Sequence, residues 1–145
     1  MKSTLVFFDS SENGKRGTLR GLVIFPIFII LTLLWFLLTK KPLYDKHIDQ
    51  VDKSRLWVAM GVSALLIVSA VAVHTPDTVK KAVVYSGLVG FVVYGISNAV
   101  LLATSKKWGY DIALIDTLWG IVSTALLGHI LYEVVKKWPK TFAVV

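Results

Sequence analysis

The chain has no cysteine and only four prolines, and few of its residues are charged. Without cysteine there is no disulfide framework and no thiolate-held metal. The charged fraction is 17%, against roughly 25% in an average globular chain. No Lys or Arg lies between Gly21 and Thr39, Leu56 and Val79, Ala82 and Ser105, or Trp108 and Val135. Each gap is close to the ~20 residues an α-helix needs to cross a ~30 Å hydrocarbon core. A soluble helix carries charge along its outward face. These stretches are apolar all round, which suits a helix bundle in lipid.

Catalytic motifs are missing too. There is no nucleophile elbow, no His-Glu-x-x-His and no phosphate loop, so neither an enzyme nor a cofactor is expected. Neither end carries a lipidation motif. The net charge is +7, yet no basic helix face with interleaved aromatics is present, so nucleic acid is not an expected partner. The basic residues fall in pairs at the ends of the apolar runs: Lys15-Arg16, Lys40-Lys41, Lys80-Lys81, Lys106-Lys107 and Lys136-Lys137. Such pairs anchor helix ends at headgroups.

The chain is 55% hydrophobic. The expected fold is all-α, a single integral membrane four-helix transmembrane bundle. A polar leader, 1–20, precedes a transmembrane domain, 21–135, with helices at about 21–38, 56–73, 79–104 and 111–135. A short tail, 136–145, follows. The first run lacks a cleavage site and reads as a retained helix. It contains Pro26, which membrane helices tolerate, and it ends at Lys40-Lys41-Pro42. Trp57, Trp108 and Trp138 fall at run ends, where indoles anchor at the interface. Asp77 or Thr78 is placed to cap the third helix and Asp111 the fourth. The 43–53 connector carries Asp45, His47, Asp49 and Asp52 but lacks the glycine and terminal glutamate of a calcium loop. It reads as a solvated loop, and no metal site is expected. The termini and second loop hold nine basic residues and the other two loops seven, which places both termini on the cytosolic side.

Asp116 is the sharpest local feature. It lies about five residues inside the fourth helix, where a carboxylate costs roughly 2.5–3.5 kcal/mol at mid-bilayer and must face protein or water. Asn98 lies six residues before Thr104. Across an antiparallel hairpin the two offsets are about 7.5 and 9 Å of rise, so the two residues share a depth. Tyr94 is one turn from Asn98 and can offer its hydroxyl. Gly87, Gly90, Tyr94, Asn98 and Leu101 form one stripe of the third helix. Gly120, Thr124 and Gly128 repeat every four residues on the fourth. Small residues at this spacing let membrane helices approach closely. The expectation is an Asn98–Asp116–Tyr94 cluster that either locks the two helices or serves as a proton or cation site. His129 and Glu133, one turn apart, are placed to pair with each other or to meet Tyr85 or Ser86.

The run Tyr94-Gly95-Ile-Ser-Asn98-Ala-Val-Leu-Leu-Ala103-Thr104-Ser-Lys106-Lys-Trp108, then Ile115-Asp116-Thr117-Leu118-Trp119-Gly120, resembles a domain-of-unknown-function family. Its members are small, predicted four-helix membrane proteins of bacteria and large DNA viruses. In that family a Tyr precedes an Asp or Asn by one turn, an Ala-Thr-like pair leads to a Lys-x-Trp turn, and Asp before Trp-Gly opens the last helix. The resemblance is strong over the third and fourth helices. It extends loosely to the first, where Trp35 and Tyr44 match a Trp and a later Tyr. Leu101 stands where the family often has a second Asn. The resemblance implies a membrane location and a bundle fold. Its viral members imply a structural or interaction protein: a minor capsid or internal-membrane component of a virion, contacting lipid and neighbouring capsid proteins. The alternative is a small transporter or proton- or cation-conducting protein centred on Asp116.

Overall fold

The computed structural model describes residues 12–44, 53–74 and 77–143. They form helices α1 (Glu12–Thr39), α2 (Lys53–Val73), α3 (Val79–Thr104), α4 (Tyr110–Lys137) and the short α5 (Pro139–Phe142), with a π-helical turn, Lys40–Tyr44, closing α1. No strand occurs among the described residues. Most of the 43–53 connector lies outside them.

α1 begins at Glu12, inside what the sequence reads as a leader. Its first turns already carry an inward stripe: Gly14, Gly17, Arg20, Gly21, Ile24 and Phe28 are all buried. Pro26 sits on the exposed side of α1, where the carbonyl it frees is not sealed into the core. Thr78 caps α3 by accepting from the Lys81 backbone amide at 3.3 Å. Asp77 instead pairs with Lys81 Nζ at 2.9 Å. Asp111 does not cap α4. The cap position is Gly109, and Asp111 falls in the first turn, where its charge complements the helix dipole, as Lys136 and Lys137 do in the last.

Consecutive helices run antiparallel. Arg20 near the start of α1 bonds Ala72 at the end of α2. Tyr85 near the start of α3 reaches the Ala70 carbonyl at 3.4 Å. The α3–α4 hairpin is the most extensive contact. The core gathers Ile24 and Phe28 of α1, Ala64, Ile67, Val68, Val71 and Ala72 of α2, and Leu127 and Leu131 of α4. A second cluster, Trp108, Ile112 and Ala113, closes the opposite end against Leu43, Tyr44 and Leu102.

The outer surface inverts the soluble pattern. Leu22, Leu37, Leu66, Leu88, Ile96 and Leu114 are among many large apolar side chains that face outward. Continuous apolar surface on this scale calls for lipid. Three helices are long and apolar enough to cross a membrane: Gly14–Thr39, Val79–Thr104 and Tyr110–Lys137. The fourth expected crossing differs. α2 forms and packs in the bundle, but its apolar stretch among the described residues is Met60–Val73, about 21 Å of rise.

Candidate functional site

Asp116 lies in the second turn of α4, half-buried. Three elements converge on it. Tyr44, in the turn that closes α1, donates its hydroxyl to Asp116 Oδ1 at 2.6 Å. Asn98 of α3 donates Nδ2 to Asp116 Oδ2 at 3.0 Å. The same amide approaches the Tyr94 carbonyl at 2.9 Å and Thr117 Oγ1 at 3.2 Å. The indole of Trp108, in the α3–α4 turn, donates to Asn98 Oδ1 at 3.0 Å. Trp35 of α1 donates to the Tyr44 hydroxyl at 3.1 Å. Thr117 returns its own proton to the Ala113 carbonyl. Asn98 is 2% exposed, so each of these bonds replaces one to water and each loss orphans a partner.

Burial, and after it the neighbouring Asp116, push the Tyr44 phenol well above its ordinary range. The hydroxyl therefore stays a donor. The Trp35 ring also stacks on Trp119 of α4, with centroids 4.6 Å apart and planes 4° from parallel. α1 is thus joined to the α3–α4 hairpin by an aromatic face and by the Trp35–Tyr44–Asp116 chain of bonds.

The residues expected at this site are distributed differently from the sequence reading. Asn98 and Asp116 meet directly. Tyr94 contributes its backbone carbonyl and its ring, which packs over Gly120; its hydroxyl makes no bond to Asp116 among the described residues. Trp108 is not an outward interfacial anchor. It is 7% exposed, because its indole N–H is drawn inward to Asn98 and its ring tilts against Tyr44. Trp138 does face outward, 49% exposed, with Lys137 Nζ 4.9 Å from the ring centre. The side chain of Trp57 lies outside the described residues. Tyr44, Trp35 and Thr117 were not expected at the site. The positions of Trp35 and Tyr44 in the family pattern were the available signal, but nine residues of sequence separation gives no hint that both turn toward the fourth helix.

The small-residue seam closes α3 on α4. A Cβ built on Gly90 would overlap the Gly120 carbonyl and Thr124 Oγ1. One on Gly120 would overlap the Tyr94 ring, and one on Gly128 the Ser86 side chain and the Ala82 carbonyl. Gly87 is looser, with Ile121 and Ala125 atoms at 3.6 and 3.7 Å from the same construction. Thr124 is fully buried and donates to the Gly120 carbonyl at 2.7 Å.

Trp108→Phe tests the inward role of this indole. The substitution keeps an aromatic ring but removes the pyrrole half of the indole with its N–H, which leaves Asn98 Oδ1 without this donor. The expected loss is about 1–2 kcal/mol, read as a lower midpoint in detergent-titrated unfolding. An anchor at the interface would tolerate Phe with little change.

At the other end of the bundle, Arg20 is 1% exposed. Its Nε donates to the Phe142 carbonyl at 2.6 Å, its Nη2 to the same oxygen, and its Nη1 to the Ala72 carbonyl at 3.3 Å. Arg16 donates to the Ala143 carbonyl. Nearby, His74 stacks on Tyr85 with centroids 4.0 Å apart, beside a cavity of about 20 Å³ that Ser86 and Tyr132 also line. A larger open groove, about 510 Å³, lies along His129, Glu133, Lys136, Lys137 and Trp138. Asp116 lines neither. Among the described residues no group of three or more His, Cys, Asp or Glu could hold a metal ion.

The model of a family described as predicted membrane protein (DUF2177) matches residues 19–132, which takes in α1 from its buried arginine, the Asp116 cluster and most of α4. No curated protein and no solved structure matches the chain.

Proposed function

We propose, for a chain that belongs to the DUF2177 family of predicted membrane proteins, a structural role rather than a catalytic or transporting one. The bundle is a locked membrane scaffold that presents its loops and ends to neighbouring proteins of a larger assembly. The supporting observation is the convergence of three chain elements on Asp116. Both carboxylate oxygens accept a bond, from Tyr44 and from Asn98, and the Asn98 amide is engaged at both of its polar atoms. A hydrogen-bonded network that ties three elements together favours one packing. A carrier site needs a path that brings cargo to the carboxylate, and Asp116 lines neither of the two cavities described above.

The same reading takes α2 as a fourth crossing. It spans 21 residues, about 31 Å of rise. Its end lies beside the starts of α1 and α3, which supports a crossing antiparallel to both. A virion's internal membrane is one setting for such a scaffold, with capsid proteins as the neighbours.

Asp116→Asn separates lock from carrier. The near-isosteric amide keeps one acceptor oxygen and Tyr44 can rotate its proton, so a lock loses under about 1.5 kcal/mol and retains its partners on co-purification from the native membrane. A carrier loses its flux while staying folded. Proton or cation flux in liposomes that Asp116→Asn abolishes would overturn the structural reading.

A further inference from the structure

α4 carries one outward stripe along most of its length. Ile115, Leu118, Val122, Leu126, His129 and Glu133 are all exposed, at spacings of three or four residues. The first four are what lipid requires. The last two are not. His129 and Glu133 lie within the Tyr110–Lys137 span, about 12 and 6 Å of rise short of its end. Neither makes a hydrogen bond or ion pair among the described residues. Elsewhere in the spanning helices, exposed hydroxyls are satisfied internally: Ser97 donates to the Val93 carbonyl and Thr104 to that of Val100. An imidazole and a carboxylate cannot bond back in this way, and intramembrane ionisable groups face protein or water.

From this stripe we propose that α4 is the interface with a second copy of the same chain. The argument is charge complementarity. One face carries both a donor, His129, and an acceptor, Glu133, four residues apart. A two-fold axis along the membrane normal sets two α4 helices side by side with this face shared, as an isologous contact requires. His129 of each copy then faces Glu133 of the other across an axial offset of about 6 Å, within reach of the longer glutamate side chain. Both pairs are satisfied at once, and Leu126, Val122 and Leu118 continue the contact along the apolar part of the stripe. The groove beside Glu133 holds Lys136 and Lys137 as well as the acid. Its mixed sign fits a copy of itself better than an anionic lipid headgroup, which Glu133 would repel. The proposal is independent of whether Asp116 is a lock or a carrier site.

The chain has no cysteine, so single-cysteine variants report one position each. Leu126→Cys and Val122→Cys, in native-composition vesicles under mild oxidation, are expected to give several-fold more disulfide-linked dimer than Val92→Cys on the exposed face of α3. Glu133→Lys in the Leu126→Cys background is expected to lower that yield several-fold. Exchanging the two residues, His129→Glu with Glu133→His, should restore it. All these positions are exposed, so the bundle should keep its unfolding midpoint, measured alongside. Equal crosslinking from both faces, a monomer at every position, or linkage only to a different protein would each overturn the proposal.

Discussion

Gly90→Ala is expected to separate α3 from α4 and to cost about 3 kcal/mol or more, the upper end of overpacking penalties. The added methyl would overlap two fixed atoms, the Gly120 carbonyl and the hydroxyl of Thr124. The first is backbone. The second is already bonded to that carbonyl and fully buried, so neither can swing aside. Relief requires the helices to move apart, and that movement would stretch the Asn98–Asp116 bond two turns further along. Gly95 on the same helix and Gly61 on α2 are the controls. A Cβ at either meets nothing within 4 Å. Gly95→Ala and Gly61→Ala should therefore be neutral or stabilising by up to about 1 kcal/mol, the ordinary helix gain of Ala over Gly. Gly87→Ala belongs with the controls, since its contacts would be ordinary ones. Equilibrium unfolding in mixed micelles, followed by tryptophan fluorescence, ranks the four. Equal effects at Gly90 and Gly95 would mean that the seam is not close-packed.

The contrast among these glycines marks how far sequence reasoning reaches. Spacing alone placed Gly87, Gly90, Gly120 and Gly128 on facing stripes, and equal depth alone paired Asn98 with Asp116. Both inferences use only helical rise and period, which a membrane helix obeys closely. The same arithmetic cannot grade contacts on one stripe, so Gly87 and Gly90 looked alike. It also fails where the chain changes direction. The π-helical turn carries Tyr44 back to Asp116, and nothing in Lys40-Lys41-Pro42-Leu43 encodes where that tyrosine points. Trp108 departs from its expected place for a related reason. A Lys-Lys-Trp-Gly turn has the composition of an interfacial anchor, and only the fold reveals that Asn98 Oδ1 lies within reach of the indole. The start of α1 was legible in principle: Gly14, Gly17 and Gly21 repeat at helical spacing ahead of the apolar run, but the intervening charges hid the period.

Arg20 is the residue whose partners leave no trace in the sequence, because all of them are backbone carbonyls. Its guanidinium spans two chain segments, the end of α2 at Ala72 and the end of α5 at Phe142, where unpaired carbonyls and the negative end of the helix dipole collect. Arg20→Ala is expected to weaken the docking of the C-terminal segment by about 3 kcal/mol. One buried carbonyl, Ala72, and one part-buried carbonyl, Phe142, lose their donors, at roughly 1–3 kcal/mol each, offset in part because the buried charge itself is gone. Arg20→Lys discriminates between charge and shape. A lysine keeps the cation but lacks the planar fork that reaches both oxygens. If the fork matters, Lys should recover less than half of the loss. The local consequence is more specific than the global one. With Arg20 cut back, the C-terminal segment keeps the Arg16 bond to Ala143 as a side-chain tie to α1. Amide exchange at Thr141, Phe142 and Ala143 should rise by two orders of magnitude or more, as expected for roughly 3 kcal/mol at 1.4 kcal/mol per tenfold. Exchange in the α3–α4 seam should be unchanged. A uniform rise across both ends would show that Arg20 supports the bundle as a whole and does not act as a clamp on its C-terminal segment.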